Sequence, residues 1–426
     1  MNIWSDKIKI DSGFIYYCIT IYLIRKKGGN KKMNGRNNHE GGVISQGIRT
    51  PVIKPGDDLQ EIVISSVAKA NGGNFKERDI IGITEAVVAI SQGNFATRKD
   101  ISRDIANKFS GAKQLVLIDP IQSRNRFIDV LKAIAQTPQL EKIYIVMTYP
   151  TDEVGNRFVS DMAIMESGVN PYVDLLSVEE FYSKLGVPKH PFTGKNYIKE
   201  YLEACNGKAE IILGNDFSKI PNATKCDDFL VCSIHRRKET RLALERGGAK
   251  RILDLSEIMD TSIDGSGYNE LFGVYGSNLM SGGRLKLMPR DCQNFVEEIQ
   301  SKIEKRYGKK VEVFVYGDGA FKDPVGGIWE LADPQTTLGA TSGLAGTPKE
   351  VKLKFIASAN EGKTPEEIEA IVAEEKAKRK TTDDMTGENS LGTTPRRITD
   401  LIASLADLTT GSGDRQTPVV YIQNYL

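Results

Sequence analysis

No phosphate-binding loop of the G-x-x-x-x-G-K-[ST] kind occurs in this chain. Two runs end like one, EGKT at 361–364 and FTGK at 192–195, but Ala357 and Lys189 stand where the first glycine belongs. No G-x-G-x-x-G opens a helix after a strand. A nucleotide, if bound, is held without these loops. Histidine is scarce: His39, His190 and His235 form no cluster, and no Ser-His-Asp or Cys-His spacing is present, which argues against a hydrolase built on such a nucleophile. Five cysteines in 426 residues make no disulfide framework and fit reduced thiols in a cytoplasmic protein. Cys226, Cys232 and His235 match no standard zinc spacing. Net charge is nearly absent too, at 57 basic against 56 acidic residues, so a general nucleic-acid binder is not expected.

Long apolar runs are also missing. GFIYYCITIYLI at 13–24 is twelve residues long, against the ~20 that a membrane span needs. Arg25, Lys26 and Lys27 follow it, and no small-residue cleavage site does. We read residues 1–44 as a flexible extension or a start assigned too early, with Met33 as the true beginning and a membrane anchor as the alternative.

What remains reads as alternating strands and helices. DDLQEIVISSVAKANG has helical spacing, with its acids where they favour the helix dipole. DIIGITEAVVAI reads as a strand, and RKDISRDIANKFSG as a helix ending at Gly111. QLVLIDP, EKIYIVMTYP, KAEIILGND and DDFLVCSIH are strand candidates separated by amphipathic stretches, the pattern of a parallel sheet covered by helices. Residues 155–205 read as irregular with short helices. Later come a helix in NFVEEIQSKIEKRYG, a strand in KVEVFVYGDG, a Thr364–Glu367 capping box, a helix in ITDLIASLADL and a closing strand in TPVVYIQNY. The fold class is therefore mixed α/β.

Asp318 follows the strand VEVFV on a glycine-flanked corner, a suitable place for a carboxylate to hold Mg²⁺ or Mn²⁺, or equally for a turn aspartate. Asp260, Asp264, Asp291 and Asp333 repeat the choice in weaker form. Arg124 and Arg126, with the runs DPIQSRNRF and TYPTDEVGN, are candidates for an anion site or for ordinary helix-start residues.

Several of these pieces occur together in one family. TPVIKPGDDL, DIIGITEAVV, GSNLMSGGRLKLMPRDC, VEVFVYGDGAF and the C-terminal DMTGENSLGTTPRRITDLIASLADLTTGSGDRQTPVVYI resemble the coenzyme F420-0:L-glutamate (gamma-glutamyl) ligase family. The resemblance covers a core at 45–111 and 250–426, and leaves 112–249 as an α/β insertion. It implies a cytoplasmic homodimer that uses GTP and Mg²⁺ or Mn²⁺ to join L-glutamate to a carboxylated small molecule through an acyl phosphate, with no nucleic acid or membrane partner. It implies a nucleotide site at Thr50, Pro51, Val52, Ile53, Thr84, Asn278, Thr410, Gly411, Ser412 and Gly413, and a metal at Asp318. The sequence departs from the family pattern at Tyr275, where the family has a metal-binding aspartate, and at Glu85, Ile90 and Gly319. A phenol does not replace a carboxylate toward a hard cation. Either Asp260, Asp264 or Glu85 supplies the missing oxygen, with Asp264 taken here beside Asp318, or the site has changed its ligand or lost catalysis.

Overall fold

The computed structural model describes residues 42–191, 193–317, 335–348, 351–378, 396–410 and 416–426, with two short strands at Phe321–Lys322 and Trp329–Glu330. Every element below lies in the unit Val43–Leu426. Among the described residues no helix is long and apolar enough to cross a membrane.

Strand β1 (Ile44–Ile48) leads through the Pro-Gly corner into α1 (Leu59–Asn71). Both carboxylates after that corner serve the backbone. Asp57 accepts from the Lys54 N–H at 2.7 Å, and Asp58 caps the helix by accepting from the Glu61 N–H at 3.1 Å. Next come β2 (Ile80–Thr84), α2 (Glu85–Ser91), β3 (Phe95–Thr97) and α3 (Arg98–Lys108). The run DIIGITEAVVAI is thus half strand and half helix, not one strand. Its Ala and Val residues suit either period, and the chain turns at Thr84, whose extended backbone (φ −66°, ψ 138°) begins the helix.

The middle of the chain alternates β4 (Gln114–Ile118), α4 (Phe127–Ala135), β5 (Lys142–Met147), α5 (Asp161–Ser167), β6 (Leu176–Ser177), α6 (Val178–Leu185), α7 (Tyr197–Ala204), β7 (Ala209–Leu213), α8 (Ile220–Thr224), β8 (Asp228–Val231), α9 (Arg237–Arg246) and β9 (Arg251–Asp254). These strands form one sheet in the order β6-β7-β5-β4-β8-β9, parallel except for β6. Leu115 and Leu117 of β4 pack on one face with α3, α4 and α7, while Val116 and Ile118 pack on the other against Ile220 and Leu244. Burial on both faces explains why QLVLI is apolar without alternation.

The remaining elements are β10 (Asn278–Leu279), β11 (Arg284–Lys286), α10 (Cys292–Tyr307), β12 (Glu312–Tyr316), β13 (Phe321–Lys322), β14 (Trp329–Glu330), β15 (Thr337–Ala340), α11 (Leu353–Ala359), α12 (Pro365–Lys378), α13 (Ile398–Thr410) and β16 (Val419–Gln423). A second sheet runs β1-β16-β2-β12-β15, in which β2 and β12 are parallel. One face packs on α1 and α10 through Val63, Val67, Val296 and Ile299, the other on α13 through Ile402 and Ala406. Burying side chains of this kind stabilises by roughly 1.5–3 kcal/mol each. Gly82 is required in β2 because a Cβ there would meet the Phe314 ring at 2.7 Å. Two small antiparallel sheets, β10-β11-β3 and β13-β14, complete the described elements.

Candidate functional site

The five-stranded sheet gathers most of the described site residues at one edge. Thr84 ends β2 and pairs in register with Tyr316, the last residue of the parallel β12. The Thr84 N–H donates to the Pro418 carbonyl at 3.0 Å, just before β16. The Thr50 N–H donates to the Gln416 carbonyl at 3.3 Å, so the segment after β1 arrives at the same edge. Pro51 and Val52 are exposed there, and Ile53 packs against the core beneath. Thr410, the last residue of α13, is buried with its hydroxyl 3.3 Å from the Tyr316 hydroxyl. Carboxyl ends of parallel strands are where α/β sheets present ligands to their loops.

Asn278 approaches through the three-stranded sheet. It pairs in register with Lys286, whose ammonium lies 2.6 Å from a carboxylate oxygen of Glu85, the residue after Thr84. Glu85 is 6% and Lys286 3% exposed. The ion pair therefore ties the strand of Asn278 to the helix that starts at Thr84. Among the described residues the Thr84 hydroxyl and the Asn278 amide have no hydrogen-bond partner, and both residues are half-buried.

The carboxylates weighed as substitute metal ligands are all engaged. Glu85 is neutralised by Lys286. Asp260 meets the Lys108 ammonium at 2.6 Å. Asp264, on an exposed turn with φ 50°, pairs with Arg103, its side chain 64% exposed. Among the described residues no three His, Cys, Asp or Glu side chains come together in a way that could hold a metal ion. Asp318, Gly411, Ser412 and Gly413 lie outside the described residues.

Tyr275 is a core residue. It is 2% exposed, and its hydroxyl donates to the Ser233 carbonyl at 2.7 Å, just past β8. Burial pushes its pKa well above that of a free phenol. Lys286 is the residue that sequence reasoning missed. In GRLKLMP it looks like the outward residue of a short strand, and its partner is 201 positions away. An unexplained glutamate at position 85 was the one available signal.

A family model described as F420-0:Gamma-glutamyl ligase matches residues 47–424, a span that takes in both large sheets. The chain belongs to that family. No curated protein is a significant match to it.

Proposed function

We propose that this chain is a GTP- and divalent-metal-dependent gamma-glutamyl ligase. It joins L-glutamate to a carboxylated small molecule, F420-0-like by family resemblance, through an acyl phosphate. The observation that carries this reading is the convergence of Thr84, Thr50 and Thr410 at the carboxyl ends of β2 and β12, with Asn278 drawn in by Lys286 and Glu85. Family membership supports the reaction class.

In this account the γ-phosphoryl group of GTP passes to the acceptor carboxylate. The bond to the β-phosphate oxygen breaks, a carboxyl O–P bond forms, and GDP leaves. The amine of glutamate then attacks the activated carbonyl, loses a proton and expels inorganic phosphate. Thr84 and Asn278 act by positioning, since each offers a donor that no described protein group engages. Lys286 keeps Glu85 from presenting a bare negative charge beside the phosphates. Mg²⁺ or Mn²⁺ would offset phosphate charge. Among the described residues no cluster of carboxylates fits an ion, so the metal requirement rests on the family resemblance and Asp318. The same resemblance carries the cytoplasmic homodimer.

A non-catalytic nucleotide- or metabolite-binding role on the same scaffold is the second reading, favoured by the buried Tyr275 at the family's aspartate position. The two separate in one assay. The ligase reading expects sustained, multiple-turnover GDP release that requires both acceptor and glutamate, with a glutamyl amide detected by mass spectrometry. GTP binding with no product from F420-0 or other carboxylated acceptors supports the second.

A further inference from the structure

The runs DPIQSRNRF and TYPTDEVGN are tied to one another by structural bonds, Glu153 accepting from the Gln122 N–H at 2.8 Å and the Ser123 N–H at 3.3 Å. A roomier feature lies on the other large sheet. Strand β15 ends the five-stranded sheet, with β12 as its neighbour. Along its free side runs an open trough of about 390 Å³, floored by β15 and flanked by Gln293 of α10 and by Arg397 and Asp400 at the start of α13. At Ala340 the edge is closed to a further strand. The Gln293 side-chain carbonyl accepts from the Ala340 N–H at 3.2 Å, and its amide donates to the Ala340 carbonyl at 3.0 Å.

Arg397 and Asp400 are the charged residues of the trough's described lining. Three positions apart at a helix start, they are neighbours on its surface. Both are exposed, and among the described residues neither makes an ion pair, with the other or elsewhere. One oxygen of Asp400 accepts from the Thr336 hydroxyl at 2.8 Å, which orients the carboxylate and leaves its second oxygen without a described partner. The Thr336 carbonyl accepts in turn from the Gly317 N–H at 3.0 Å, and Gly317 directly precedes Asp318 in the chain. Thr337 pairs with Tyr316, and Tyr316 with Thr84, so the trough starts two strand spacings, roughly 10 Å, from Thr84.

We propose that this trough seats the amino acid that the ligase joins to its acceptor: Arg397 takes the α-carboxylate and Asp400 the α-ammonium. A cation and an anion side by side, each without a described ionic partner, suit a zwitterion. A simple acid would meet the like charge of Asp400, and a simple amine that of Arg397. Thr336 holds Asp400 at the end of β15 nearest Thr84, so the ammonium lies toward the edge where the activated acceptor forms. The trough exceeds the volume of one amino acid and leaves space for the reacting end of that acceptor. Naming the amino acid as L-glutamate rests on the ligase reading, whereas the zwitterion site rests on the two charges.

The test is calorimetric titration of the full chain with L-glutamate, with glutarate, which lacks the ammonium, and with 4-aminobutyrate, which lacks the α-carboxylate, each with GDP and Mg²⁺ present and absent. L-glutamate should bind about tenfold tighter than either, the worth of one hydrogen bond to a charged group. Asp400→Asn should abolish the advantage over glutarate and keep that over 4-aminobutyrate, and Arg397→Gln should do the reverse. A GTP titration of the same samples separates the two claims. GTP binding without L-glutamate binding strikes this placement and leaves the ligase reading, while these preferences without any GTP response keep the zwitterion site and strike the ligase reading. Equal wild-type affinity for the three probes, no binding of L-glutamate at millimolar concentration, or preferences that neither variant alters would each overturn the proposal.

Discussion

Lys286 on β11 places its ammonium against the Glu85 carboxylate at the first turn of α2, and both side chains are buried. The pair joins two sheets beside the residue that ends β2. Removing one partner leaves an uncompensated buried charge, which costs about 3–5 kcal/mol, whereas replacing both with apolar groups is often neutral. Lys286→Met should therefore destabilise the chain by that amount in urea unfolding, and Glu85→Leu with Lys286→Met should recover most of it. Additive losses would show that the pair is not coupled.

Thr84 and Asn278 should separate binding from stability. Because neither side chain bonds to a described residue, Thr84→Ala and Asn278→Ala should each change stability by less than about 0.5 kcal/mol. Each should weaken GTP binding about tenfold, the loss of roughly one hydrogen bond. A large drop in melting temperature with unchanged GTP affinity would reverse the assignment.

Tyr275 should behave as a core residue. Tyr275→Phe deletes the bond to the Ser233 carbonyl and strands a buried acceptor, so it should cost about 1–3 kcal/mol in denaturant unfolding. The metal concentration needed for half-maximal nucleotide response should not move. A shift there would mean that the phenol acts in the metal site.

Glu153 should impose a pH dependence on stability. Burial, with Asp152 adjacent, raises its pKa from 4.5 to about 7, so the folded chain holds a proton that the unfolded chain releases. Its stability contribution is therefore full below about pH 4.5 and declines as pH rises to about 7, beyond which no further loss is due. Glu153→Gln should remove that component when melting is followed from pH 5 to 8. An unchanged slope would contradict the assignment.

Gly82 and Phe314 should be coupled. A side chain at Gly82 strikes the ring, so Gly82→Ala should destabilise by about 1–3 kcal/mol, and Phe314→Leu should relieve part of that loss.

Local chemistry was the legible part of this fold. Asp58 caps α1 as its position after a Pro-Gly corner implies, and Thr364 forms a capping box with Glu367. The strand-helix alternation from Gln114 to Asp254 follows from runs short enough for strands and amphipathic stretches long enough for helices. The break at Thr84 was hidden because EAVVAI fits a buried strand as well as a helix. Contacts between distant segments left no periodic trace. Nothing near Lys286 names Glu85, and nothing in TYPTDEVGN says that Glu153 will meet the backbone of Gln122. Asp260 and Asp264 look alike as candidate ligands until Lys108 and Arg103 are seen beside them.

The central claim, a metal-assisted GTP site at the ends of β2 and β12, is tested most directly by titrating GTP, ATP and GDP with and without Mg²⁺ or Mn²⁺ into wild type and Asp318→Asn. The account predicts GTP binding that requires the ion, exceeds that of ATP and is lost in Asp318→Asn. Absence of any nucleotide response, or a GTP response indifferent to both the ion and the substitution, would contradict it.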